Sequence, residues 1–286
     1  MRAQSGESRQ VSQRTAFWLL FLATIVVVFP VLFIILQIIV NGVGSIGWEF
    51  LTQAPSQAGK AGGIFPAIVG TFYLMLGTLV FSLPIGVLAG IYLAEYAPSN
   101  RLTRLINLAI MNLAGVPSIV YGLFGLGVFV LALNFGMSLL AASLTLACQA
   151  LAMTITTSRE AILTIPREHR EGSLAVGATK WQTVRHIVLP QARPGIITGA
   201  VLAMSRAAGE TAPILVVGAA FLLPGLPQSP FDQFMALPYH LYTVAAHVPG
   251  MPEGTMWGVA LVLLVVVLSF DVLATIMRFR ARRLRV

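Results

Sequence analysis

No charged residue occurs from Phe17 through Val40, and runs of similar length and apolarity recur five more times along the chain. A helix needs about 20 such residues to cross the roughly 30 Å hydrocarbon layer of a bilayer. The six blocks cover about residues 16–40, 67–93, 105–133, 137–157, 195–223 and 255–278. With 57% hydrophobic and only 10% charged residues, against about 25% charged in soluble domains, they exclude an ordinary soluble protein. The expected fold is all-α: a polytopic integral membrane protein with six transmembrane helices. The first block is too long for a signal-peptide core and is followed by more apolar chain, so it reads as a retained span. Pro84 and Pro117 predict kinks in the second and third spans, since proline removes a backbone hydrogen bond that neighbouring helices must compensate.

The net charge of +8 points to orientation rather than to nucleic acid. Of the 18 Lys and Arg, Lys60 falls in a segment outside the spans on one side and Arg206 within a span. The other sixteen, from Arg2, Arg9 and Arg14 through Arg101, Arg104, Arg159 and the 167–193 group to Arg278–Arg285, fall on the opposite side. The positive-inside rule then places both termini and the long segment 158–194 in the cytoplasm. Residues 1–15 read as a cytoplasmic tail and 16–286 as the transmembrane domain. Two external loops remain: 41–66, a Gly- and Ser-rich solvated connection, and 224–252, with an amphipathic stretch Phe231–His247. That stretch reads as an interfacial helix with its aromatics at headgroup level, or as a landing surface for an external protein. Cys148 lies inside an apolar block and reads as packing.

The cytoplasmic segment has readable local chemistry. Pro166 suits the first turn of a helix, which would carry Arg167, Glu168, Arg170 and Glu171 and stop near Gly177, a residue able to take the left-handed conformation. A second helix would start at Thr179, with Gln182 in capping-box spacing, and end before Pro190. Helix, glycine corner, helix is the prediction. Gly172, Ser173 and Ala175 permit close approach by another surface, while Leu174, Val176 and Trp181 offer apolar anchoring area.

Arg206 and Glu210 lie four residues apart, on one face of the fifth span and a third to half of the way into it. A charge there costs on the order of 2.5–3.5 kcal/mol on insertion scales. A structural ion pair between spans is one reading; a polar substrate path is the other, supported by the small Gly209 and the hydroxyl of Thr211. A guanidinium fork matches an oxyanion, and a nearby carboxylate would weaken its grip enough for release.

Several strings carry a family resemblance: Gly62-Gly63-Ile64, Ile91-Tyr92-Leu93-Ala94-Glu95-Tyr96, Pro117-Ser118-Ile119-Val120-Tyr121-Gly122-Leu123-Phe124, and Arg206 through Leu215. To these the cytoplasmic segment adds Glu171, Gly177 six residues on, and Leu189-Pro190 at +18 and +19. Over nearly its whole length the chain resembles phosphate-specific ABC importer permeases of the MetI-like, type I class, and PstA-type subunits more than their partner permease. The resemblance implies the type I importer permease fold and a bacterial inner-membrane location. It implies a second phosphate permease subunit, a dimeric cytoplasmic ATPase and an external phosphate-binding protein as partners, with membrane lipid around them and no nucleic acid.

ATP and Mg would be used by the ATPase. This chain would bind no cofactor and have no ATPase site of its own; it contains no Gly-x-x-x-x-Gly-Lys-Ser/Thr string. By the resemblance, Arg206 and Glu210 are pathway groups. Glu171, Gly172, Ser173, Leu174, Ala175, Gly177, Ala178 and Trp181 would dock the ATPase. Many relatives carry an arginine where this chain has Thr156, whereas its own Arg159 comes three residues later. Three readings compete: a phosphate importer permease, a permease of the same architecture for another oxyanion, and a channel or membrane enzyme. The four histidines lack metal-ligand spacing, which weakens the last.

Overall fold

Twelve helices and one two-stranded hairpin follow one another in this computed structural model, which describes residues 4–223 and 225–283. Arg2, Arg285 and the first residue of the 224–252 loop, all within the ranges above, lie outside the described residues. Helix α1 runs Gln4–Gly42, so the tail expected for residues 1–15 is already helical from Gln4. Next come α2 (Trp48–Thr52), the hairpin β1 (Pro55–Ser56) with β2 (Ala61–Gly62), and α3 (Phe65–Ile91), which continues as a π-helical turn Tyr92–Tyr96. Helices α4 (Arg101–Ala114), α5 (Ser118–Gly125) and α6 (Leu139–Leu163) follow, with a π-helical extension of α5 at Leu126–Ala132. Then come α7 (Arg167–Ala175), α8 (Lys180–Thr183), a π turn Val184–Val188, α9 (Leu189–Gly209), α10 (Ala212–Leu215), α11 (Leu237–Ala246) and α12 (Glu253–Arg283).

Five stretches are long and apolar enough to cross a membrane, and the pair α4 and α5 makes a sixth if counted as one span bent by 101°. Both prolines expected to kink a span meet different fates. Pro84 lies within an uninterrupted α3, whereas Pro117 caps α5 at the sharp bend. Helix α4 has no buried residue, so the third span expected over 105–133 is instead two helices meeting at this bend, the first of them on the surface of the fold.

α3 packs most extensively on α6, and α9 packs on both α6 and α12. Lipid offers no hydrophobic drive between helices, so association rests on close contact through small residues. A Cβ added at Gly86 would come within 2.6 Å of the Thr154 side chain, and one at Gly90 within 2.8 Å of Ser158. Gly195 meets Ala161 in the same way across the α9–α6 seam.

Four expectations need correction. The fifth span begins at Lys180 rather than 195, because the helix does not end before Pro190. A π turn precedes Pro190, which falls in the first turn of α9, where a missing N–H and the ring are tolerated. That span also stops at Gly209 rather than 223: Glu210 turns extended, and a separate short helix, α10, opens after Thr211 with Pro213 in its first turn. Residues 216–221 and 234–236 are irregular yet mostly shielded, with backbone groups satisfied by Ser138 N–H to Val217 O at 3.1 Å and Ala220 N–H to Phe234 O at 2.8 Å, while 225–233 is largely exposed.

Residues 41–66, expected as an external solvated loop, are not simply solvated either: Phe50 and Ile64 join Ala67, Met235, Leu237 and Val259 in one apolar cluster. Nor is Phe231–His247 an interfacial helix. Phe234, Met235, Ala236 and Leu237 are essentially fully buried, and the Leu237 N–H donates to Thr71 Oγ1 at 2.8 Å inside the bundle.

Candidate functional site

Two groups of candidate residues occupy separate regions of the fold. At the corner after α7, the local chemistry acts as its residues dictate. Gly177 takes φ +88°, the left-handed value that disfavours any side chain. Its N–H donates to Leu174 O at 3.0 Å, and Ala178 N–H donates to Ser173 O at 3.3 Å, the paired bonds of a Schellman ending. Thr179 then opens α8 with both halves of a capping box: Gln182 N–H to its hydroxyl, and its own N–H to Gln182 Oε1 at 2.8 Å.

The corner faces outward. Glu171, Gly172, Leu174, Ala175, Gly177 and Trp181 are exposed, Ser173 and Ala178 half-buried. Val176 is 85% exposed, an unusual position for an aliphatic side chain with nothing to cover it. Behind the corner lies a firm bed. Ile91, Ile162, Ile165, Val184, Val188 and Ala192 form one buried cluster from the ends of α3 and α6 and the start of the fifth span. Ser173 Oγ and Thr183 Oγ1 lie 2.9 Å apart and tie α7 to α8.

Arg170 supplies the strongest tether, and the sequence reading assigned it no partner. Its Nη2 and Nε donate to Glu95 Oε1 at 2.7 and 2.9 Å, and its remaining donors reach Ile162 O and Ile165 O. With side-chain exposures of 18% and 9%, the pair is largely desolvated. It joins α7 to the π turn that ends α3. Lys180 stands 4.9 Å above the Tyr96 ring and adds a second link to the same turn.

The second group sits where α9 ends. Arg206 occupies its last turn, with its side chain 60% exposed, and Glu210 is the C-cap at 15%. Arg206 Nε lies 3.4 Å from Glu210 Oε1, a weak, long contact. The same oxygen accepts a much shorter bond, 2.6 Å, from Gln149 Nε2 on α6. Thr211 follows immediately and caps α10 without a side-chain bond. Leu146, Gln149, Ala150, Met153, Ala203, Arg206, Ala207 and Glu210 together line a cleft between α6 and α9.

The pair therefore marks a helix break rather than the middle of a continuous span. Gln149 was missed as well, although a glutamine inside an apolar block was the signal that could have found it. Thr156 donates back to Ala152 O at 2.8 Å, and Arg159 is half-buried on α6 with its Nε lacking a partner.

Residues 86–283 match the family model of the binding-protein-dependent transport system inner membrane component. The chain belongs to that family. Among curated relatives, it is 33% identical to the phosphate transport system permease protein PstA 1 of Mycobacterium tuberculosis, over 97% of this chain and 92% of that one. The probable phosphate transport system permease protein PstA of Methanocaldococcus jannaschii is 31% identical over 92% of each chain. The probable ABC transporter permease protein YqgI of Bacillus subtilis is 33% identical, covering 73% of this chain and 71% of that one.

Two solved structures share the fold. One is the inward-facing MetNI methionine ABC transporter, with TM-score 0.61 and 21% identity, covering 76% of this chain and 97% of that one. The other is a bacterial ABC transporter that imports alginate, with TM-score 0.59 and 14% identity over 96% and 99%. As a member of this family the chain is a multi-pass inner-membrane permease.

Proposed function

We propose that the chain is one permease subunit of an ATP-driven phosphate importer, supplying half of the transmembrane pathway and docking a dimeric cytoplasmic ATPase through residues 171–181. The observation that carries the site is Arg206: a guanidinium on an exposed side chain at a helix break, whose one carboxylate neighbour among the described residues is held by another residue. Such a fork offers paired donors to an oxyanion. Relatives named as phosphate transport permeases, aligned over nearly the full chain, favour phosphate within that class.

The remaining parts of the machine follow the same reading. A second phosphate permease completes the pathway, an external phosphate-binding protein delivers the anion, and the ATPase uses ATP and Mg. Both termini and the Gly177 corner face the cytoplasm, as the distribution of Lys and Arg favours. Nucleotide-driven closure of the ATPase pushes on α7 and α8. Because α7 is clamped to α3 by Arg170 and Glu95, while α8 runs on into α9, the push reaches two spans as rigid bodies.

The test is ATP-dependent anion uptake by the full complex in vesicles, with phosphate, sulfate and molybdate compared. Phosphate is expected to accumulate with the native chain. Arg206→Gln should lower the rate more than about tenfold, in line with hydrogen bonds to a charged group worth about 1.5–3 kcal/mol. Equal accumulation of sulfate or molybdate would move the assignment to another oxyanion. Uptake without ATP would point to a channel.

A further inference from the structure

Glu210 Oε1 is shared unequally between two donors on different elements, Gln149 Nε2 at 2.6 Å and Arg206 Nε at 3.4 Å. A carboxylate oxygen already engaged in a short bond is a poorer partner for a guanidinium, so the amide holds the carboxylate off. Among the described residues, Arg206 has no other hydrogen-bond or ion-pair partner. Its two terminal nitrogens therefore carry no such partner, on a residue that helps line the cleft.

A second observation shows that the arrangement is maintained at a cost. Gln149 Oε1 is buried with no hydrogen-bond partner. Turning the amide over would set its oxygen against the Glu210 carboxylate, so the donor must face Glu210 and the acceptor is left orphaned. A buried, unsatisfied carbonyl costs about 1–3 kcal/mol, and a leucine or methionine would avoid that cost in an otherwise apolar span. Gln149 belongs to α6 and Glu210 to the end of α9, two helices that pack against each other.

We propose that Gln149 is a positioning residue that sets the anion affinity of Arg206 by keeping Glu210 from closing on it. This rests on the reading of Arg206 as a pathway group, given above. With α6 and α9 in the observed register, the amide restrains Glu210 and the guanidinium fork is open to an oxyanion. When the two helices separate, the amide withdraws, Glu210 swings onto the fork in a bidentate pair, and the anion is displaced. A relative movement of two helices thereby becomes release of the substrate, with no residue changing its protonation.

A double-mutant cycle in the reconstituted complex tests it, reading phosphate uptake with complex assembly as the control. Gln149→Leu should slow uptake about tenfold, the equivalent of losing one charge-assisted hydrogen bond. Gln149→Met should do the same, which guards against a packing defect peculiar to one side chain. In a Glu210→Gln background, where no carboxylate remains to close on Arg206, neither change should slow uptake further.

A residue that merely supports α6 would instead lower uptake by the same factor in both backgrounds, and that result would overturn the proposal. So would native uptake by Gln149→Leu and Gln149→Met. Arg206→Gln separates the two levels: if it transports at the native rate, the pathway reading itself fails. If it is impaired while the Gln149 and Glu210 effects simply multiply, only the positioning role is lost.

Discussion

His240 shows how far a single side chain can depart from its surroundings in sequence. It lies on α11 between Tyr239 and Leu241, only 1% exposed, stacked on Phe221 with ring centroids 5.1 Å apart. Burial pushes its imidazole down to about 4 from an ordinary 6.5. The folded protein thus stays neutral there while the unfolded chain takes up a proton. Stability is unaffected above pH 6.5, falls as pH drops toward 4, and levels below that, with a total loss of up to about 3 kcal/mol. Thermal unfolding of the purified complex from pH 7.5 to 4.5 should show this decline, and His240→Phe should flatten it. Gly177 is the other residue whose role is purely local. A side chain at φ +88° costs about 1 kcal/mol or more in backbone strain. Gly177→Asp should therefore distort the corner and reduce co-purification of the ATPase, while leaving chain levels in the membrane near normal.

Helices here are joined by a few cross-links whose removal has asymmetric consequences. Breaking the Arg170–Glu95 pair from one side leaves a desolvated charge behind, which costs about 3–5 kcal/mol for a buried pair and less here because Arg170 keeps some solvent contact. Glu95→Gln should loosen α7 from α3, so that ATP is hydrolysed without matching phosphate uptake. Glu95→Gln combined with Arg170→Met should be milder for stability than Arg170→Met alone. ATP turned over per phosphate imported, measured in one vesicle preparation, checks the first statement, and thermal unfolding of the purified variants checks the second. The α3–α6 seam behaves differently, since its contact is shape and not charge. Gly86→Val would drive a side chain into Thr154 and should lower the yield of folded protein rather than uncouple it, because overpacking costs about 1–3 kcal/mol.

The assembled chain exposes two surfaces that the isolated subunit cannot bury. One is α1, whose apolar side chains from Phe17 to Val40 are almost all exposed while it packs mainly on α12. The other is the corner carrying Val176. A cysteine placed at Val176 should react with an impermeant thiol reagent added from the cytoplasmic side, and be protected once the ATPase is bound. Labelling from the outside instead would invert the orientation drawn from Lys and Arg. The end of the bundle around Phe50 differs in kind: α2, the start of α3, Met235, Leu237 and α12 share an apolar cluster, which makes it a folded cap.

Membrane class, the number of apolar blocks, the glycine corner and the Thr179 cap were legible in the chain itself. Each arises from chemistry acting within a few residues: span length against bilayer thickness, a left-handed glycine, a hydroxyl three positions from a backbone donor. What could not be read were the limits of the fifth span and the partners of its charges. Glu210 meets Gln149 from 61 residues away, and Arg170 meets Glu95 from 75. The burial of Phe234 through Leu237 likewise depends on Thr71 and on the cluster around Phe50. Those outcomes belong to tertiary structure, because contact between helices is settled by complementary shape along the Gly and Ser seams. Such shape exists only once the neighbouring helix is in place.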